Sequence, residues 1–179
     1  VANASSLYFE ALSKSGLNWS LTGAGGSVVA NRSFTAGNLK LDLTAGNYTL
    51  SVSGPGDVAA PYAFRLVDLT TSTIPVVTDT TVNGTLPQGS QTRVHEFNAL
   101  SGDRLYLESH TPDIGTNFRW RLLDPSGNSL FEDDLRNDQD LLTTPATGTY
   151  RLLIDGSPGS TSPNTAYSFA IHNNGPAPI

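Results

Sequence analysis

Gly148-Thr149-Tyr150-Arg151-Leu152-Leu153-Ile154 decides the fold. Tyr150, Leu152 and Ile154 alternate with Thr149, Arg151 and Leu153, which is the two-residue period of a β-strand. The same pattern stands earlier in the chain as Gly46-Asn47-Tyr48-Thr49-Leu50-Ser51-Val52, at an offset of 102 residues. There Tyr48, Leu50 and Val52 share one face, and Thr49, Ser51 and Ser53 share the other. A turn precedes each strand, Ala45-Gly46-Asn47 in one case and Ala146-Thr147-Gly148-Thr149 in the other.

The correspondence extends outward in both directions. Leu7-Tyr8-Phe9-Glu10 matches Leu105-Tyr106-Leu107-Glu108 at an offset of 98. Trp19-Ser20-Leu21 matches Trp120-Arg121-Leu122, and Gly26 matches Gly127, both at 101. Gly54 matches Gly156 at 102, and Tyr62-Ala63-Phe64 matches Tyr167-Ser168-Phe169 at 105. The offset only grows along the chain, as small loop insertions in a second copy require. Chance matches would scatter. Both tryptophans fall on equivalent positions, so the chain reads as two related modules.

The modules differ at their starts. The second has a lead-in, Val82-Asn83-Gly84-Thr85-Leu86 through Val94-His95-Glu96-Phe97 to Gly102-Asp103-Arg104. The first has only six residues ahead of Leu7 and no counterpart to it. The expected fold is therefore all-β, with two tandem antiparallel β-sandwich modules, jelly-roll-like, the first lacking its leading strands. The expected boundaries are 1–69 for the first module, 70–81 for an extended linker, 82–173 for the second module and 174–179 for a tail. The linker, Thr70 to Thr81, is β-branched and carries Pro75. A sandwich short of edge strands exposes unpaired backbone and core, so the expectation is either a chain cut or processed ahead of Val1, or strands supplied by a neighbour.

Further alternation supports strands. Leu39, Leu41 and Leu43 alternate with Lys40 and Asp42. The run from Asn117 to Leu122 puts Phe118, Trp120 and Leu122 inward and Arg119 and Arg121 outward. Asp124-Pro125-Ser126-Gly127-Asn128 is a turn in which Pro fixes φ and Gly allows it to be positive. Thr22-Gly23-Ala24-Gly25-Gly26 is its counterpart. No segment sustains a helical period for ten residues.

The lead-in Val94-His95-Glu96-Phe97 with Leu100-Ser101-Gly102-Asp103-Arg104-Leu105, the run Gly148 to Gly156 and Ala166-Tyr167-Ser168-Phe169 resemble the bacterial pre-peptidase C-terminal (PPC) domain family. The second module resembles it over most of 82–172, and the first only from 7 to 69. The resemblance implies compact jelly-roll sandwiches, found beside secreted proteases or as tandem copies in very large bacterial surface proteins. It implies a secreted or cell-surface accessory or spacer role and carries no catalytic residue.

Composition narrows the function. The 179 residues contain no Cys and no Met, with a net charge of −6. Thiol chemistry, disulfides and Cys-ligated metals are excluded. An acidic chain does not suit a nucleic-acid partner, and no apolar run is long enough to span a membrane. No H-E-x-x-H or G-x-S-x-G motif occurs, and His95 reads as an outward surface residue. The reading is non-catalytic. The sharpest candidate site is acidic: Glu132, Asp133, Asp134, Asp138 and Asp140 around Arg136, either a calcium set or a solvated loop. From residue 82 onward eleven Asp and Glu face six Arg, whereas before it five face four Lys and Arg. Trp19, Trp120, Phe118 and Tyr106 form either core or a sugar-stacking platform. The functions in view are a structural or adhesive repeat assembling with neighbouring copies or modules through strand complementation, and a carbohydrate- or calcium-binding accessory module, with glycans as partners in the second case.

Overall fold

A computed structural model describes residues 1–13, 16–54, 56, 60–111 and 118–178. The chain divides into two compact units, Val1–Ser72 with Pro158–Ser160, and Thr73–Ser157 with Thr161–Ile179.

The first unit contains β1 (Ser5–Ala11), β2 (Asn18–Gly23), β3 (Gly26–Ser33), β4 (Leu39–Leu43), β5 (Tyr48–Ser53) and β6 (Phe64–Asp68). A single 3-10 turn, Phe34–Ala36, follows β3, and the Ser33 hydroxyl caps it by accepting from the Thr35 amide. The strands form two three-stranded antiparallel sheets, β4-β1-β6 and β3-β2-β5. Phe9, Trp19, Phe34, Leu41 and Leu43 are buried in the core of this unit. Phe9 stacks on Trp19 with ring centroids 3.9 Å apart.

The second unit contains β7 (Thr73–Pro75), β8 (Thr81–Gln88), β9 (Thr92–Ala99), β10 (Asp103–Ser109), β11 (Arg119–Leu123), β12 (Ser129–Asp134), β13 (Gln139–Thr143), β14 (Gly148–Asp155) and β15 (Pro163–Pro176). Its sheets are β13-β10-β15-β8 and β12-β11-β14-β9-β7. Phe118, Trp120, Leu122, Tyr150, Leu152 and Ile154 are buried, as the alternation predicts. Asn117 of that run lies outside the described residues.

The two units share one plan. The order β4-β1-β6 repeats as β13-β10-β15, and β3-β2-β5 repeats as β12-β11-β14. Register repeats as well. Trp19 stands opposite Val52 and Leu21 opposite Leu50, as Trp120 stands opposite Ile154 and Leu122 opposite Leu152. Both units also tie their key tyrosine to the turn before it. The Tyr48 hydroxyl donates to the Thr44 carbonyl at 3.0 Å, and that of Tyr150 to the Ala146 carbonyl at 2.6 Å.

The segment between the modules is extended but not free. Thr73–Pro75 pairs in parallel with β9, and the Val76 amide donates to the Glu96 carbonyl at 2.9 Å. The division between units falls at Ser72 and Thr73, inside the 70–81 segment. At the other end β15 runs on to Pro176, where it pairs with Asp103, so the start of the 174–179 segment belongs to the sheet.

Candidate functional site

Among the described residues the second unit has what the first has, plus β7, β8 and β9, of which β8 and β9 cover its flank. β8 pairs with β15, and β9 pairs with β14. The equivalents of those acceptors, β6 and β5, are edge strands among the described residues. The consequence shows in the side chains. Tyr167, Phe169 and Ile171 on β15 are 3%, 0% and 1% exposed. The residues that take their places in the first unit include Tyr62 at 49% and Leu66 at 46%. On the other sheet Tyr150, Leu152 and Ile154 are sealed, whereas Tyr48, Leu50 and Val52 are only half-buried. The first unit is thus open along one side, and the opening is lined with inward-facing apolar side chains.

Val1 stands at the mouth of this opening. Its amino group donates to the Gly46 carbonyl at 2.6 Å, and the Gly46 amide donates to the Val1 carbonyl at 2.9 Å. This reciprocal pair is one rung of an antiparallel ladder. In the second unit Ala99, the last residue of β9, stands opposite Gly148, the counterpart of Gly46. Backbone groups alternate along an antiparallel strand, so those of Tyr48, Leu50 and Val52 face outward from the sheet edge as those of Gly46 do.

His95 is not the surface residue that the sequence suggests. It is 2% exposed and shares the inward face of β9 with Phe97. Its Nε2 lies 2.8 Å from the Tyr167 hydroxyl, and its ring meets the edge of Phe169. Burial, with the nearby Arg93 charge second, pushes the imidazole down to about 4. Burial pushes the Tyr167 phenol up to about 12. Both groups are therefore neutral at pH 7. They line a cleft of about 510 Å³ together with Val76, Val77, Thr81 and Arg93.

The five acidic residues do not converge. Glu132, Asp133 and Asp134 lie on β12, the edge of one sheet, and Asp140 lies on β13, the edge of the other. Glu132 meets Arg119 at 2.9 Å and Arg121 at 2.6 Å across the β11–β12 ladder. Asp134 holds Arg136 at 2.7 Å, and that hydrogen bond holds its carboxyl below the usual range. Asp133 accepts from the Asp134 amide at 2.7 Å. Asp138 is lowered chiefly by the Ser109 amide and then by the Tyr106 hydroxyl, each donating at 2.8 Å. Among the described residues no three His, Asp or Glu gather where they would hold a metal ion.

Nor do the four aromatic residues make an exposed platform. Trp19, Trp120 and Phe118 are core, and Tyr106 alone stays near the surface. With Asp140, Leu141, His172 and Asn174 it lines a shallow groove of about 550 Å³. Sequence reasoning missed the open-flank residues Tyr48, Leu50, Val52, Tyr62 and Leu66 as a site. The signal was available: they are the first-module counterparts of residues that face the lead-in strands.

Comparison with known proteins adds a likeness of fold. No protein-family model matches the chain, and no curated protein matches it. Solved structures do. A periplasmic inhibitor of g-type lysozyme from Aeromonas hydrophila, PliG, is 16% identical with a TM-score of 0.49, over 57% of this chain and 96% of that one. A pre-peptidase C-terminal domain of collagenase from Bacillus anthracis is 19% identical with a TM-score of 0.44, over 55% and 93%. PliG from Salmonella Typhimurium is 21% identical with a TM-score of 0.43, over 59% and 100%. Likeness at this level concerns fold and nothing finer. No described helix is long and apolar enough to cross a membrane.

Proposed function

We propose that this chain is a non-catalytic structural or adhesive module pair of an extracellular protein, secreted or held at the cell surface, that assembles by accepting a β-strand. One observation carries the reading. Two units of one topology sit in one chain, and only the first leaves β5 and β6 as open edges lined with core-type side chains. A long edge with alternating apolar residues is a template for strand addition. The test is native mass spectrometry and negative-stain microscopy of the purified chain with and without extended peptides. Association or peptide capture supports the reading. A chain that stays monomeric with rapidly exchanging β5 and β6 amides whatever strand is offered overturns it.

A carbohydrate-binding accessory role is the second reading. The groove at Tyr106 supports it, because an aromatic ring flanked by Asp140, His172 and Asn174 suits a sugar face and its hydroxyls. A glycan array tests it: binding lost in Tyr106→Ala supports it, and an empty array overturns it.

A further inference from the structure

We infer that the cleft between β9 and β8 binds a small organic carboxylate with an apolar body, its anionic end held by Arg93 and the Tyr167 hydroxyl. The site lies wholly within the second unit and is independent of the strand-accepting reading above.

Strand parity places the cation. Arg93, His95 and Phe97 alternate on β9, so Arg93 shares the inner face with two buried side chains. Its one described hydrogen bond runs from Nε to the Thr85 carbonyl at 3.3 Å, and among the described residues no carboxylate pairs with it. Nor does any described Asp or Glu line the cleft. Asp79 stands close in sequence, but it accepts from the Asn173 amide at 3.3 Å and faces His172 at 3.5 Å. A half-buried guanidinium without a counter-charge favours an anion, and its planar fork suits a carboxylate.

The second donor follows from counting hydrogens. With both groups neutral, His95 and Tyr167 hold one each, and their mutual bond at 2.8 Å uses only one. The His95 Nδ1 is buried with no hydrogen-bond partner among the described residues. A bare ring nitrogen tolerates that better than an N–H does. The hydrogen therefore sits on Nε2 and bonds the phenol oxygen, which leaves the Tyr167 O–H without an acceptor. A carboxylate oxygen supplies one. Gly84 keeps the place open, since a Cβ there would come within 2.3 Å of the phenol oxygen.

The rest of the lining is apolar. Ile74 and Val77 stand 40% and 71% exposed at the rim, and Val76 and Val82 pack inward on the core. The cleft's volume of about 510 Å³ suits a small molecule.

The probes are hexanoate, hexanol and hexylamine, titrated at pH 7 into the whole chain and followed by NMR amide shifts. Hexanoate should move Ile74, Val76, Val82 and Gly84. It should bind about tenfold tighter than hexanol, the margin of one charge-assisted contact, with hexylamine weakest. Arg93→Gln should abolish the preference for hexanoate, and Arg93→Lys should restore part of it. Val77→Asp, at the exposed rim, should weaken hexanoate while leaving the core intact, which keeps the test open if Arg93→Gln does not fold. Equal binding of hexanoate and hexanol, or tighter binding of hexylamine, overturns the anionic end. An unchanged preference in Arg93→Gln overturns the part given to Arg93. Shifts at Tyr62 and Leu66 instead mark surfactant-like adsorption and overturn the site, as does the absence of any shift.

Discussion

The Nε2 of His95 lies 2.8 Å from the hydroxyl of Tyr167, and both side chains are sealed inside the second unit. A buried imidazole whose value falls from 6.5 to about 4 resists protonation in the folded state only. Between those values the unfolded chain binds a proton that the folded chain refuses. The stability of the second unit is therefore full above about pH 6.5 and declines as pH falls toward 4, by about 3 kcal/mol from this group. Urea midpoints at pH 7 and pH 4.5 check this, and His95→Asn flattens the difference.

Tyr167→Phe leaves the His95 Nε2 buried without its partner, at a cost of about 1–3 kcal/mol. Gly84→Ala acts on the same pair from the other strand, because the new methyl group collides with the Tyr167 ring. Thermal unfolding at pH 7 should rank both below the parent chain.

The open flank makes a matched comparison possible. Leu152 and Leu50 hold equivalent positions, but Leu152 is buried and Leu50 is half-buried. Leu152→Ala should cost about 3 kcal/mol and Leu50→Ala about half of that. Each unit contains one tryptophan, so Trp19 fluorescence reports the first and Trp120 the second. Equal losses would show that the first core is as closed as the second.

Calcium tests the acidic edges. Their carboxylates already hold arginines, amides and a phenol, and such exposed pairs add little stability of their own. Millimolar calcium, or a chelator, should move neither melting temperature by more than about 1 °C. A rise of several degrees would assign these residues to an ion.

The strands were legible because their two faces differ. Polar Thr49 and Ser51 mark the outside of β5, and Arg119 and Arg121 mark the outside of β11. His95 was misplaced because β9 gives no such mark: Val94 and His95 are neighbours of opposite parity, and both are buried. Alternation cannot choose an inward face where both are covered. The acidic run misled in another way. Its partners Arg119 and Arg121 lie a turn away in sequence, and only pairing of β11 with β12 brings them to Glu132. That β5 and β6 have no described partner where β14 and β15 have β9 and β8 was visible because the chain contains its own reference copy.

Strand order also sets a timetable. β15 is the last described strand of the second unit, yet it lies between β10 and β8, and β8 has no other described neighbour in its sheet. Val82 must wait for Phe169, its partner 87 residues later, before its ladder can form. On the ribosome the second unit therefore stays unfinished until almost its whole length has emerged. Contacts this distant in sequence make for slow folding. The six described strands of the first unit are all present by Asp68, where Leu7 meets its last-made partner.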